Sequence, residues 1–355
     1  MSKDIELIKL INLDVIIVNK QTYKLEKELS GNGGLSFKYI SDDGNSVFVK
    51  FLIAPKNDIE INKFKLEVQL LESRNSLNKL VKTTPNLLDY KIHDTLSIHY
   101  YIAEWIDGVT LNQKLSMLKN LNLEETLDIV HRCLSVAAYV TPAIAHRDFH
   151  PGNLIFLNDE PNWDNSQPGK VIDPKVIITD FGNAIMPIAF SYEDKEVDQL
   201  LIYQNVNRRI EGSFKSLPPE IFKDPIHAFL HNPGCGEAWA IGILFYKLIA
   251  GEDIIDIDSI SKYANLTCTN QIEKIISDKL KIIEEKLDNN YILIRIIQGL
   301  LKVESSKRIS PAVAAGLFWD YRFGDLNEKP SEFQKKYIDS GRNYPPMRPD
   351  EYDCY

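Results

Sequence analysis

Over residues 23–104 the hydrophobic positions fall in short runs, at 23–29, 35–40, 47–53 and 99–104, that alternate with polar ones. A period of two predicts β-strands and a small antiparallel sheet. One segment breaks the rhythm: across 59–80, Phe64, Val68 and Leu71 recur at helical spacing. Past Asp107-Gly108 the pattern changes to long helices, at 123–140, 235–250 and 291–302. A β-rich unit followed by a helical one predicts an α+β, two-lobed architecture: a first lobe over 21–105 and a second over 106–325. Residues 1–20 read as an N-terminal extension and 326–355 as a C-terminal tail. With Pro330, Pro345, Pro346 and Pro349, that tail is expected to be extended, packing back on the body or binding a partner. The Asn-, Asp-, Pro- and Gly-rich stretch at 158–174 and the polar segment after Ile185 read as surface insertions.

Composition narrows the class. At 355 residues, with 44% hydrophobic and 26% charged positions, the chain has ordinary globular usage and length for two buried interiors. A net charge of -9 argues against general nucleic-acid binding, which depends on a basic surface. Cys133, Cys235, Cys268 and Cys354 form no C-x-x-C pair, so reduced thiols and a cytoplasmic location are expected. Asp4 and Glu6 interrupt the apolar N-terminus, unlike a secretory signal. No apolar run reaches the ~20 residues that span a bilayer. The nearest, 238–250, carries Lys247 and suits a buried helix.

Chemistry concentrates in His146-Arg147-Asp148-Phe149-His150-Pro151-Gly152-Asn153, followed later by Thr179-Asp180-Phe181-Gly182. Phosphoryl transfer from ATP needs a carboxylate to hold the acceptor hydroxyl in line and oxygen ligands to fix magnesium on the phosphates. Asp148, Asn153 five residues on, and Asp180 after the predicted strand 176–178 supply those groups. In this order the motifs resemble the protein kinase family. The resemblance implies ATP and Mg²⁺ as cofactors, Asp148 as the catalytic base, and Asn153 and Asp180 as metal ligands.

The resemblance extends over about residues 21 to 322. Gly31-Asn32-Gly33-Gly34-Leu35-Ser36 resembles the glycine-rich loop over the phosphates, where Gly31, Gly33 and Gly34 would let backbone N–H groups approach and Ser36 would line the site. Lys50 ends Val47-Phe48-Val49-Lys50, in place of V-A-I-K, and implies a phosphate-binding lysine that needs a carboxylate partner. Glu67 fits that partner by context, with Glu60 and Glu72 as rivals. The hinge reads Tyr101-Ile102-Ala103-Glu104-Trp105-Ile106, so Ala103, Glu104 and Ile106 would border the adenine together with Phe48. A large Phe48 and a small Ala103 are expected to compensate in volume. Gly212-Ser213-Phe214-Lys215-Ser216-Leu217-Pro218-Pro219-Glu220 resembles the end of an activation segment, with Ser213 seating the acceptor near Asp148 and Glu220 pairing with Arg308. Glu237 stands where the family has an Asp, which predicts an altered helix cap.

The implied activity is transfer to Ser or Thr hydroxyls of a protein substrate. His150 departs from the family, which places a Lys two residues after the base, and the H-P-G-N ending is similar to small-molecule phosphotransferases of the aminoglycoside and choline type. That keeps a small-molecule acceptor open. Phe48, together with Lys38 where a Val usually roofs the adenine, keeps open a nucleotide-binding pseudokinase scaffold. Arg147 beside the base predicts phosphorylation of the segment that offers Ser191, Tyr192, Tyr203, Ser213 and Ser216, unless Arg208 and Arg209 anchor it directly.

Overall fold

The alternating runs become strands of one sheet. The computed structural model describes residues 13–29, 35–93, 98–118, 121–141, 144–159, 173–185, 215–223, 234–288 and 290–323. β1 (Val15–Val18), β2 (Gln21–Leu29), β3 (Leu35–Ser41), β4 (Ser46–Ile53), β5 (Leu87–His93) and β6 (Ile98–Glu104) pair antiparallel in the order β1-β2-β3-β4-β6-β5. Phe37, Tyr39, Val47, Val49, Phe51 and Ile102 bury one face of this sheet as a cluster of their own. Phe48, Lys50, Tyr101 and Ala103, at the intervening positions, fall to the other face.

Two strands go beyond the sequence reading. β1 lies inside the expected N-terminal extension and turns into β2 through Asn19 and Lys20, both at positive φ, a hairpin geometry whose twist matches the strands. β5 escaped detection because its register slips between Leu87 and Asp89, a bulge that breaks the period of two and leaves Leu88 and Tyr90 exposed.

The helical segment is α1 (Asp58–Leu77), started by Asn57, whose side chain accepts from Glu60 N at 3.1 Å. It carries Phe64, Leu66, Val68, Leu70 and Leu71 into the same apolar cluster that fills the helical lobe, so the two lobes share one continuous core. Arg74 closes the junction: its guanidinium donates to Tyr139 O and Val140 O at 3.1 and 2.7 Å.

β7 (Gly108–Thr110) leads into α2 (Leu111–Met117) and α3 (Leu123–Val140), each opened by a reciprocal side-chain cap, Thr110 with Gln113 and Asn122 with Glu125. β8 (Leu154–Leu157) and β9 (Val176–Ile178) join β7 in a second small sheet. After α4 (Glu220–Lys223) comes α5 (Cys235–Ala250), apolar on nearly all sides and packed between α3 and α8 (Tyr291–Leu300). α6 (Ile260–Cys268), α7 (Gln271–Lys286) and α9 (Pro311–Phe323) complete the described part of the lobe. Among the described residues no helix is long and apolar enough to cross a membrane.

One ion pair ties the lobe together. Arg308, 1% exposed, grips both oxygens of Glu220 at 2.7 and 2.8 Å, donates to Lys302 O, Cys235 O and Val303 O, and lies 5.0 Å from the Trp239 ring centre. Every donor of this fork meets an acceptor, the condition under which a buried guanidinium is tolerated.

Candidate active site

β4 runs beside α1, and the period of two turns Lys50 inward to meet it. Its ammonium lies 3.0 and 2.9 Å from the two oxygens of Glu67 and 3.2 Å from Asp180 Oδ1. Lys50 is 7% exposed and Glu67 2%, so little solvent screens that pair, whereas the Asp180 side chain is 41% exposed. Burial by itself would depress the Lys50 ammonium, but the carboxylates of Glu67 and Asp180 outweigh it and hold it above its ordinary value. Burial raises the Glu67 carboxyl, and the neighbouring ammonium pulls it back only in part. Asp180 is also opposed by burial, yet Lys50 wins there and its carboxyl sits below the usual range.

The rivals for Lys50 fall away on geometry. Glu60 turns back to accept from Lys56 N at 2.9 Å, and Glu72 is exposed. A partner that sequence reasoning missed is Tyr101, whose hydroxyl donates to Glu67 Oε1 at 3.0 Å. Its position two residues from Ala103 on a strand was legible, but the reach to a helix 34 residues away was not.

Asp180 follows β9 at φ +60°, and Arg147 beside Asp148 stands at φ +63°. A non-glycine residue in that region costs about 1–3 kcal/mol and is kept only where its surroundings over-determine it. Around Asp180 the surroundings include the Lys50 ammonium, 3.2 Å from Oδ1, and Gly182, on which a Cβ would come within 3.3 Å of the same oxygen, a tight contact. Thr179 N donates to Asn153 O at 2.9 Å, Ala145 and Ile185 bridge, and the loop 146–153 is thereby stitched to the strand that delivers Asp180.

His146 braces the same loop. Its Nε2 lies 3.0 Å from Thr179 O and its Nδ1 accepts from Asp148 N at 3.3 Å, which leaves the ring neutral, edge-on to Phe181 at 4.9 Å. Burial pushes its pKa below the ordinary histidine value in the same sense. Below it, Glu237 accepts from His146 N at 2.7 Å and Arg147 N at 3.2 Å. α5 has no side-chain cap at Gly234, and the Glu237 carboxylate in its first turn reaches the loop 146–153. Burial raises its carboxyl to about 7.

Asp148 lies in this loop, and Asn153 Nδ2 donates to Asp148 O at 3.0 Å, which turns the Asn153 Oδ1 oxygen the other way. Lys50 supplies one positive charge against the two carboxylates of Glu67 and Asp180, so the trio is one charge negative when both are ionised. Hard amide and carboxylate oxygens with a local negative balance fit a magnesium ion that takes its other ligands from phosphate and water.

Farther along the sheet, Phe48 is paired with Ala103 and with Lys38. Its ring leans toward Tyr101, 6.0 Å between centres, over the fully buried Ala103. Lys38 pairs with Glu26 at 2.8 Å and lies 4.9 Å over the Trp105 ring. Glu104 accepts from Lys82 and, at 3.1 Å, from Asn86, and Ile106 is at the edge of burial. Ser36 is in β3, opposite Lys50. Gly31, Gly33, Gly34 and Ser213 lie outside the described residues, as do Ser191, Tyr192, Tyr203, Arg208 and Arg209.

The comparisons with known proteins agree with this geometry. Residues 23–319 match the protein kinase domain family. A putative ribosomal protein S6 kinase alpha-2 of Caenorhabditis elegans is 24% identical over 84% of this chain and 36% of its own length. The probable serine/threonine-protein kinase PknB of Lactococcus lactis is 25% identical over 67% of the chain and 33% of its own length. Serine/threonine-protein kinase PrkC of Bacillus subtilis is 30% identical, over 35% of the chain and 19% of its own length. The chain spans about a third or less of these relatives. With more than four-fifths of its residues inside the family match, the chain belongs to the protein kinase domain family.

Proposed function

We propose that the protein is an ATP- and magnesium-dependent kinase that phosphorylates Ser or Thr hydroxyls of protein substrates. The observation that carries this reading is the ammonium of Lys50 held between Glu67 and Asp180 beside the loop of Asp148. Three separate parts of the chain converge on one buried cation, an arrangement with a use when a triphosphate enters.

In this reading Lys50, oriented by Glu67, positions the α- and β-phosphates, and the loop 31–36 covers them. Asn153 and Asp180 hold Mg²⁺, which neutralises charge on the phosphate oxygens. Asp148 accepts the hydrogen bond of the incoming hydroxyl and aligns its oxygen with the γ-phosphorus. Ser213 helps to seat that acceptor. Ala103, Glu104, Ile106 and Phe48 form the adenine side, and the lobes meet near 106–108. A protein acceptor is favoured over a small molecule by the segment that ends in Glu220 and is locked by Arg308. The relatives named as serine/threonine-protein kinases support Ser/Thr over Tyr.

The test is transfer from γ-labelled ATP with mixed protein substrates, run beside Asp148→Ala, with the labelled residues identified by mass spectrometry. Phosphoserine or phosphothreonine that disappears in the variant is the expected result. Labelling of small amino-alcohols or aminoglycosides alone would move the assignment to a small-molecule phosphotransferase. A nucleotide-induced rise in melting temperature without any transfer would leave a pseudokinase scaffold.

A further inference from the structure

Lys38 brings a charge onto the face of the sheet that carries Lys50. It stands in register with Phe48 of β4, which stands in register with Ala103 of β6, so the three form one row across the sheet. The next row on the same face is Ser36, Lys50 and Tyr101, about 7 Å along the strands. The Lys38 ammonium lies 2.8 Å from Glu26 Oε2 and 4.9 Å from the centre of the Trp105 ring, and its side chain is 16% exposed.

Local structure builds this contact from both ends. Glu26 is the extra residue of a bulge in β2, between Leu25, paired with Tyr39, and Lys27, paired with Lys38. A bulge re-aims a side chain out of the alternation of its strand, and here the carboxylate meets the ammonium. Trp105 follows β6, and its Nε1 donates to Asp107 Oδ1 at 3.0 Å, which fixes the indole. In the sheet β4 lies between β3 and β6, so the contact of Lys38 with Trp105 spans β4 on the face of Phe48. A partly exposed ion pair and a single cation–π contact are each weak, so little free energy separates a closed arrangement from an open one.

We propose that Glu26, Lys38 and Trp105 form an autoinhibitory clasp: held in this way, the Lys38 side chain lies across the row where a nucleobase would lodge, and nucleotide binds only to molecules in which the ammonium has left Trp105. The inference rests on the phosphotransfer reading above, which puts the phosphates at Lys50 and therefore the base at the neighbouring row of Phe48 and Ala103. A lysine stem and a base do not share that space. Nucleotide affinity is then lowered by the fraction of molecules in which the clasp is open.

Two substitutions open the clasp from opposite ends. Lys38→Ala removes the side chain that crosses the row; Glu26→Gln removes its anchor and leaves the lysine. Binding of Mg-ADP, followed by stopped flow with a fluorescent ADP derivative, reads the gate. Expected are a Kd about ten-fold tighter in Lys38→Ala, carried by faster association, and about three-fold tighter in Glu26→Gln. The double variant should match Lys38→Ala, because Glu26 acts only through the ammonium. An unchanged or weaker Kd in Lys38→Ala would overturn the clasp. So would a gain from Glu26→Gln that persists in the Lys38→Ala background, since it would be a general effect of charge. Failure of wild type and Lys38→Ala alike to bind Mg-ADP or Mg-ATP would instead refute the nucleotide site at Lys50, and with it the phosphotransfer reading.

Discussion

Glu237 offers a sharp quantitative test, because it is an acid 1% exposed whose ionised form is penalised by burial. Its carboxyl is raised from 4.5 to about 7. A group titrating higher in the folded than in the unfolded chain lends stability that is fully present below its unfolded value and is lost as pH rises through the folded one. Here the loss approaches about 3 kcal/mol, and most of it falls between about pH 5 and about pH 8. Glu237→Gln keeps an oxygen for His146 N and Arg147 N, the bonds Glu237 makes at 2.7 and 3.2 Å, and removes the charge. The variant should therefore lack this component of the pH dependence and gain on the wild type by about 2–3 kcal/mol as pH is raised across that window. Urea unfolding of both proteins at matched pH values measures the difference, since other titrating groups cancel. A difference that stays flat with pH, or that grows as pH falls, would refute the assignment of a strained buried carboxylate beneath the loop 146–153.

Three further outcomes follow from the site. Tyr101→Phe removes the donor to Glu67 Oε1 and should lower kcat several-fold while costing about 1 kcal/mol of stability, read by steady-state kinetics and thermal melting; a kcat equal to wild type would show that Lys50 alone holds Glu67. Arg308→Ala strands the Glu220 carboxylate and should destabilise the helical lobe by about 3–5 kcal/mol in denaturant titrations, a loss under about 1 kcal/mol arguing against the pair as a structural lock. The small Ala103 should admit ATP analogues enlarged at N6, and Ala103→Phe should exclude them; failure of the wild type to bind such analogues in competition would mean that the Phe48 ring fills the space.

The sequence by itself determined the two-lobed α+β plan and singled out Lys50, Asp148, Asn153 and Asp180 as candidates, because periodicity and motif spacing are local properties. A period of two places Lys50 on the face opposite to Val49, and Asn153 follows Asp148 by five positions in one loop whatever the rest of the chain does. Tertiary structure alone chose Glu67 over Glu60 and Glu72, since all three lie within one helix and only its docking angle decides which carboxylate meets Lys50. It also recruited Tyr101 to Glu67 and sent Glu237 across 91 positions to His146. Such contacts join side chains distant in sequence, and their partners are fixed by packing of the whole core. The strand β5 was hidden for a related reason: a bulge moved its apolar residues off the alternation, and only its pairing with β6 defines it. His150 shows both halves: its place two residues after Asp148 is readable from the motif, while the hydrogen bond its Nδ1 accepts from Gly152 N at 3.0 Å belongs to the folded turn.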